Sequence, residues 1–198
     1  MKILFISLGC DKNLVDTEVM LGMLASRGYE MTNDEQEADI IVINTCCFIH
    51  DAKEESVNTI LEMAEYKKTG TCKILIVTGC MAQRYKEEIT EEIPEVDAVL
   101  GTTSYGDIVK ALNEAEAGHV FREFKDINAL PEDSGRRVIT TGGHFGYLKI
   151  AEGCDKHCTY CIIPSLRGKF RSVPEERLLK QAEYMASQGV RELILVAQ

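Results

Sequence analysis

Short runs of apolar residues alternate with segments of helical apolar spacing along the first 118 residues of the chain. The runs are nearly continuous, as in strands that are buried on both faces of a parallel sheet. Glycine or proline follows several of the helical segments, which is a common signal for the end of a helix. The predicted strands are 2–8, 40–44, 73–78 and 98–100, and the predicted helices are 14–27, 51–67, 82–92 and 105–117. Repeated strand–helix units of this kind predict an α/β fold with a doubly wound parallel sheet.

The pattern changes after residue 118. Residues 119–145 lack clear periodicity and contain Pro131 and Gly142-Gly143, so they are predicted to be a linker with room for one short extended segment. Strand and helix signals then return, with strands at 147–150 and 193–196 and a helix that begins at Pro174 and ends before Gly189. We therefore predict an N-terminal domain over 1–118, a linker over 119–145 and the start of a second α/β domain over 146–198.

Composition and charge narrow the possible partners. The 198 residues carry a net charge of −10, which argues against a broad phosphate-binding surface and slightly favours a basic partner. The apolar run at 3–8 is too short for a signal peptide, and no stretch approaches the roughly 20 apolar residues that span a bilayer. We expect a cytoplasmic protein that does not associate with membranes.

Three of the eight cysteines, Cys154, Cys158 and Cys161, lie within eight residues of one another. We call them the loop cysteines. Three thiolates can hold three corners of a cubic iron–sulfur cluster, and the fourth iron is then open to a substrate. A zinc site is the alternative, and it needs a fourth ligand. His157 lies in the same loop but adjoins Cys158, where sharing one ion would be awkward. A disulfide is disfavoured because the number of cysteines is odd.

Three other cysteines are far apart in sequence, but each follows a predicted strand by one or two residues. These strand-end cysteines are Cys10, Cys46 and Cys80. Ligand sites in parallel α/β sheets lie outside the carboxyl ends of the strands, so we expect the three thiols to converge there. Gly9 and Gly79 would allow the tight turn that precedes two of them. Three unrelated buried cysteines are the alternative.

The remaining two cysteines have weaker positions. Cys47 adjoins Cys46 and could compete with it, although adjacent side chains diverge and we expect Cys47 to point away from the site. Cys72 precedes a predicted strand, so we expect it at the opposite end of the sheet and assign it no function.

With its two cysteine sets and the segments around them, the chain resembles the methylthiotransferase family of radical S-adenosylmethionine (SAM) enzymes. The matching stretches are 7–18, 44–46, 78–85 and 151–161. The resemblance implies that the strand-end cysteines hold an auxiliary [4Fe–4S] cluster and that the loop cysteines hold the [4Fe–4S] cluster that binds SAM. It also implies that Tyr160 shapes the loop of the SAM cluster.

Within the family, the segments 147–154 and 163–168 and the pair Lys12-Asn13 resemble the RimO type. Members of this type methylthiolate the β-carbon of an aspartate in a small-subunit ribosomal protein. The resemblance implies a basic ribosomal protein as substrate and an electron donor such as flavodoxin or ferredoxin. The sister type modifies a tRNA adenosine, and tRNA is a partner only under that alternative. A non-catalytic iron–sulfur electron carrier would also account for both cysteine sets.

Relatives of this type continue through a full radical SAM barrel. The resemblance therefore implies that residues 146–198 form only the first β/α units of an incomplete barrel, and that the 198 residues alone are inactive. Arg167 follows the loop cysteines in a segment without clear periodicity. It could contact an acidic group, but we expect a solvated loop arginine.

Overall fold

A computed structural model describes residues 1–131 and 137–197 of the chain. Residues 1–123 form a parallel sheet flanked by helices. The strands are β1 (Lys2–Ser7), β2 (Glu30–Met31), β3 (Ile40–Thr45), β4 (Ile74–Gly79), β5 (Ala98–Leu100) and β6 (Phe121–Glu123). The helices are α1 (Asp11–Ala25), α2 (His50–Thr69), α3 (Cys80–Tyr85), α4 (Glu87–Glu92) and α5 (Ile108–Glu116), and a 3₁₀ turn at Tyr105–Asp107 precedes α5.

The six strands are arranged in the order β2-β1-β3-β4-β5-β6, and every neighbouring pair is parallel. Alternate residues of the central strands face two separate cores. On one face they pack against α2, α3 and α4, and on the other against α1 and α5. This arrangement confirms the predicted doubly wound sheet. The chain leaves β1 toward β2 and then returns to β3 on the other side, so the strand order reverses between β1 and β3.

Residues 145–196 form a smaller unit that contains β7 (Phe145–Lys149), β8 (Ala151–Glu152), α6 (Ile163–Arg167), β9 (Arg171–Ser172), α7 (Glu175–Ser187) and β10 (Glu192–Val196). β10 pairs parallel with β7, and β8 pairs antiparallel with β9. Met185 of α7 packs on Leu148 and Val190 in a small core. Among the described residues β7 is the only strand that pairs with β10, and Leu195 of β10 is 62% exposed.

Four local features differ from the predicted elements. β2 has two residues, too few to leave an apolar pattern, and β6 joins the sheet although it lies in the predicted linker. The predicted helix 82–92 is two helices, because Lys86 between them has φ +40°. The short helix α6 was not predicted. None of the helices in the described ranges is both long and apolar enough to span a membrane.

The smaller unit docks on α1 through β7 and through residues 137–140, which precede it in the chain. Glu18 of α1 is fully buried, and its carboxylate accepts hydrogen bonds from the Thr140 amide (2.7 Å) and hydroxyl (2.8 Å). The same carboxylate lies 2.8 Å from Nε of Arg137. α1 therefore belongs to the sheet on one side and holds the second unit on the other.

Candidate functional site

The three strand-end cysteines line one pocket at the carboxyl edge of the sheet. Cys10 lies between β1 and α1, Cys46 directly follows β3, and Cys80 begins α3 after β4. The pocket has a volume of about 310 Å³. Cys10 and Cys46 therefore flank the place where the strand order reverses, which is where doubly wound sheets bind ligands.

Two glycines bring these strand ends close together. Gly9 has φ +91°, and a Cβ placed on it would lie 2.6 Å from Cβ of Cys46. Gly79 has φ +93°, and a Cβ there would lie 2.5 Å from the carbonyl oxygen of Thr45. Both positions require a backbone conformation that other residues rarely adopt, and both leave no room for a side chain. The tight turns predicted at these glycines are present.

Asn13 ties the strand ends to one another. Its side-chain nitrogen, Nδ2, donates to the backbone carbonyl oxygens of Leu8 (2.8 Å) and Thr45 (3.0 Å). Its backbone carbonyl oxygen accepts a hydrogen bond from the Asn44 side chain (2.8 Å). Its side-chain oxygen lies 3.9 Å from the sulfur of Cys80. Asn13 belongs to the stretch that carries the family resemblance, but this positioning role was not predicted, since only the fold brings its partners together.

The other two cysteines of the sheet region lie elsewhere. Cys47 is buried in the core beside α2 and α3 and does not line the pocket, and burial raises the pKa of its thiol to about 11. Cys72 precedes β4 at the amino end of the sheet, and burial raises the pKa of its thiol to about 11 as well. Arg84 near Cys47 and Lys67 near Cys72 act to lower these pKa values, but burial outweighs both cations. Metal ligation needs a thiolate, so this burial disfavours both thiols as ligands.

Burial also raises the pKa of Cys46 and of Cys80, although a cation lies near both thiols. The guanidinium of Arg167 acts to lower the pKa of each thiol, but burial outweighs it. Arg167 lines the pocket and is only 4% exposed. The expectation of a solvated loop arginine is therefore wrong. The last residue of α6 is buried because the second unit packs on the carboxyl edge of the sheet, which the sequence pattern could not reveal.

Arg167 belongs to a buried ion network that joins the two units. The network consists of Lys12, Asp16, Lys149, Glu152 and Arg167. Nη1 of Arg167 lies 2.8 Å from Asp16 and 3.4 Å from Glu152. Burial opposes the ionisation of Glu152, but the nearby cations, Lys149 first, outweigh it and lower the pKa of this carboxyl. The Glu152 carboxyl is therefore charged at neutral pH.

The loop cysteines lie between β8 and α6, and none of the three is buried, whereas the strand-end set contains two buried cysteines and the exposed Cys10. Cys158 is exposed, and the other two are partly buried. The amide of Cys154 donates to the carbonyl oxygen of Gly168 (3.0 Å), and the amide of Cys161 donates to that of Cys158 (3.1 Å). Tyr160 is 90% exposed, so its predicted role in shaping the loop has no contact to support it among the described residues.

A single metal ion and an iron–sulfur cluster require different arrangements of cysteine ligands. Among the described residues, no three His, Cys, Asp or Glu side chains converge closely enough to hold a single metal ion. A cubic cluster is bulkier, because each thiolate binds a different iron. Three thiols around an apolar pocket of about 310 Å³ with one guanidinium fit such a cluster in donor type and in space. The pocket walls include Phe48, Ile49, Ile163 and Leu166.

Comparisons with known proteins match both units. The model of the "Uncharacterized protein family UPF0004" matches residues 2–101, and the model of the "Radical SAM superfamily" matches residues 148–198. The relative "Ribosomal protein uS12 methylthiotransferase RimO" of Lachnoclostridium phytofermentans is 67% identical over the whole chain. Proteins of the same name from Clostridioides difficile and Trichlorobacter lovleyi are both 52% identical. The chain spans 45%, 45% and 44% of these three relatives, respectively.

Proposed function

This chain belongs to the UPF0004 family and matches the radical SAM superfamily over residues 148–198. From that premise we propose that it is part of a methylthiotransferase of the RimO type. The proposed reaction places a methylthio group on the β-carbon of an aspartate in ribosomal protein uS12. One observation carries the proposal. Three cysteines from three distant strand ends line a single apolar pocket, directly against the unit that bears the loop cysteines.

The family relationship implies SAM and iron–sulfur chemistry, and we propose two [4Fe–4S] clusters. The strand-end cysteines would hold one and the loop cysteines the other. Cys46 is the proposed ligand, and not Cys47, because Cys46 lines the pocket. When bound, SAM and the clusters supply the radical chemistry and the methylthio group. The domain division at 118 and 145 stays a prediction, although β6 shows that the sheet extends to Glu123.

The protein contributes position, charge and protection from water. Asn13, Gly9 and Gly79 hold the thiols at the edge of the sheet. The apolar wall of the pocket limits the access of water, which would quench reactive species. The proposed partners are a basic ribosomal protein, for which the net charge of −10 is favourable, and an electron donor such as flavodoxin or ferredoxin. This substrate would place the enzyme in the cytoplasm.

The cluster assignment is tested by iron analysis of the whole gene product, prepared and reconstituted without oxygen. The triple variants C10A/C46A/C80A and C154A/C158A/C161A should each lose about half of the bound iron. C47A and C72A are the matched controls and should lose none. Full iron content in either triple variant, or iron loss in C47A instead of C46A, would contradict the proposed ligands.

The substrate is tested in cells with and without the gene. Mass spectrometry of uS12 should show a methylthio group in place of one hydrogen only when the gene is present. Loss of a tRNA methylthio group with unchanged uS12 would assign the chain to the tRNA branch. Failure of the reduced protein to cleave SAM would favour the electron carrier.

A further inference from the structure

Two consecutive residues at the end of α6 contact both cysteine sets. The side chain of Arg167 lines the same pocket as Cys10, Cys46 and Cys80. The carbonyl oxygen of Gly168 accepts the amide of Cys154, the first loop cysteine, at 3.0 Å. The position of the strand-end pocket and that of the loop are therefore set by the same short segment.

The guanidinium is held in one orientation. Nη1 points to Asp16 of α1 and to Glu152 of β8, and Nη2 donates to the side-chain oxygen of Asn13. Asn13 is itself bonded to the ends of β1 and β3. A planar fork with several donors can satisfy such a set of partners at once, and a lysine ammonium cannot do so with the same geometry.

The ion network carries an excess positive charge. It contains three cations and two carboxylates, and all five residues are 7% exposed or less. The neighbouring buried pair Arg137–Glu18 is neutral and does not compensate. An uncompensated buried charge is costly, so an anion is expected beside it. Among the five, Arg167 and Lys12 line the pocket of the strand-end cysteines. The positive charge of Arg167 acts to lower the pKa of both Cys46 and Cys80.

We propose that Arg167 is a positioning residue of the strand-end site, where its fixed positive charge compensates the negative charge of a thiolate-bound iron–sulfur cluster. This inference rests on the proposed function. It deepens that function, because it assigns a residue of the radical SAM unit to the control of the cluster in the other unit. Reduction adds an electron to the cluster, and a nearby guanidinium stabilises the reduced state more than the oxidised one.

The test isolates the strand-end site in the whole gene product. The background is C154A/C158A/C161A, in which only the strand-end cysteines can hold a cluster, and the readout is the reduction potential followed by electron paramagnetic resonance. R167Q should shift the equilibrium at least tenfold toward the oxidised cluster, which is about 59 mV for a one-electron couple. R167K keeps the charge and should restore part of this shift.

Two further variants test whether a change in potential comes from the charge at position 167. They control for a change in the net charge of the protein and for an unpaired buried carboxylate. R122Q makes the same change on exposed β6 and should leave the potential unchanged. R167Q/D16N removes one charge of each sign, so that it avoids an unpaired carboxylate, and it should still lower the potential.

The possible failures are distinguishable. If the background protein binds no iron, the proposed auxiliary cluster is wrong. If it binds iron and R167Q or R167Q/D16N keeps the original potential, the role of Arg167 is wrong. If every Arg167 variant fails to fold while R122Q folds, Arg167 is a structural residue and the proposal is overturned.

Discussion

Cys10, Cys46 and Cys80 come from three strand ends of a six-stranded sheet, whereas the loop cysteines come from one segment beside a sheet of two strands. The first set is positioned by a large core, so its geometry depends on residues throughout 1–123. The second set is positioned by its own spacing and by few contacts. Cysteines that are distant in sequence need a finished fold to meet, while cysteines that are close in sequence can meet without one.

The two units also differ in how completely they bury their strands. The interior residues of β3 and β4 are almost entirely inaccessible to solvent, but β10 exposes Leu193, Ile194 and Leu195. Most of the stability of the described part of the chain should therefore come from the sheet of 1–123. The predictions below test this difference, from the largest expected effect to the smallest.

Removing the charge of Glu18 should give the largest effect. Glu18→Gln leaves Arg137 buried without its ion-pair partner, and breaking a buried pair in this way costs about 3 to 5 kcal/mol. Because Glu18 holds the second unit on α1, amide hydrogen exchange should accelerate in β7 much more than in β3. Glu65→Gln is the control, since its pair with Lys68 is exposed to solvent and contributes little to stability. Equal acceleration in both strands would mean that the units unfold together.

Truncating a leucine should have different effects in the two sheets. Leu75 of β4 is fully buried, so Leu75→Ala should lower the free energy of unfolding by about 3 kcal/mol through lost burial and a cavity. Leu195 of β10 is 62% exposed, so Leu195→Ala should change it by about 0.5 kcal/mol or less. Denaturant titrations of both variants measure the difference. A large cost for Leu195→Ala would show that β10 is covered in solution.

Gly79→Ala should separate crowding from backbone strain at the strand-end site. An alanine here would have to adopt φ +93°, and its Cβ would lie 2.5 Å from the Thr45 carbonyl oxygen. Together these two effects should lower the free energy of unfolding by about 2 to 3 kcal/mol. Gly118→Ala is the matched control, because Gly118 has φ +80° with no atom within 4 Å of the new Cβ, and it should cost about 1 kcal/mol. Denaturant titrations again provide the measurement, and equal costs would contradict the close approach of β3 and β4.

The smallest effect is expected at the amino end of the sheet, far from the site. A hydrogen bond from the Lys2 amide, together with Lys73, lowers the pKa of Asp39. The carboxylate therefore contributes stability that is fully present above its unfolded pKa of about 3.9 and is lost as the pH falls through its folded pKa. Asp39→Asn should lower the free energy of unfolding by less than about 1 kcal/mol at pH 7. In denaturant titrations at lower pH, the difference in this free energy between the variant and the unmodified protein should shrink. If the loss of stability in Asp39→Asn grew as the pH fell, the pKa of Asp39 would be raised and not lowered by folding.

Much of the fold and the choice of candidate residues followed from the sequence. Alternating strands and helices predicted the doubly wound sheet, because long apolar patterns report the burial of whole elements. The positions of Cys10, Cys46 and Cys80 after strands predicted a common edge, since the connections of parallel strands place equivalent ends together. The C-x-x-x-C-x-x-C spacing identified the loop cysteines without any reference to the fold.

The tertiary structure determined the contacts between segments that are distant in sequence. β2 is too short to leave a pattern of its own, and β6 lies in a segment without clear periodicity, so the pairing of both depends on the strands beside them. The burial of Arg167 and its proximity to Cys80 arise only when the second unit docks on α1. The local sequence contains the propensity and periodicity of single helices and strands. The partners of a buried charged residue depend on how these elements pack together, which local sequence does not specify.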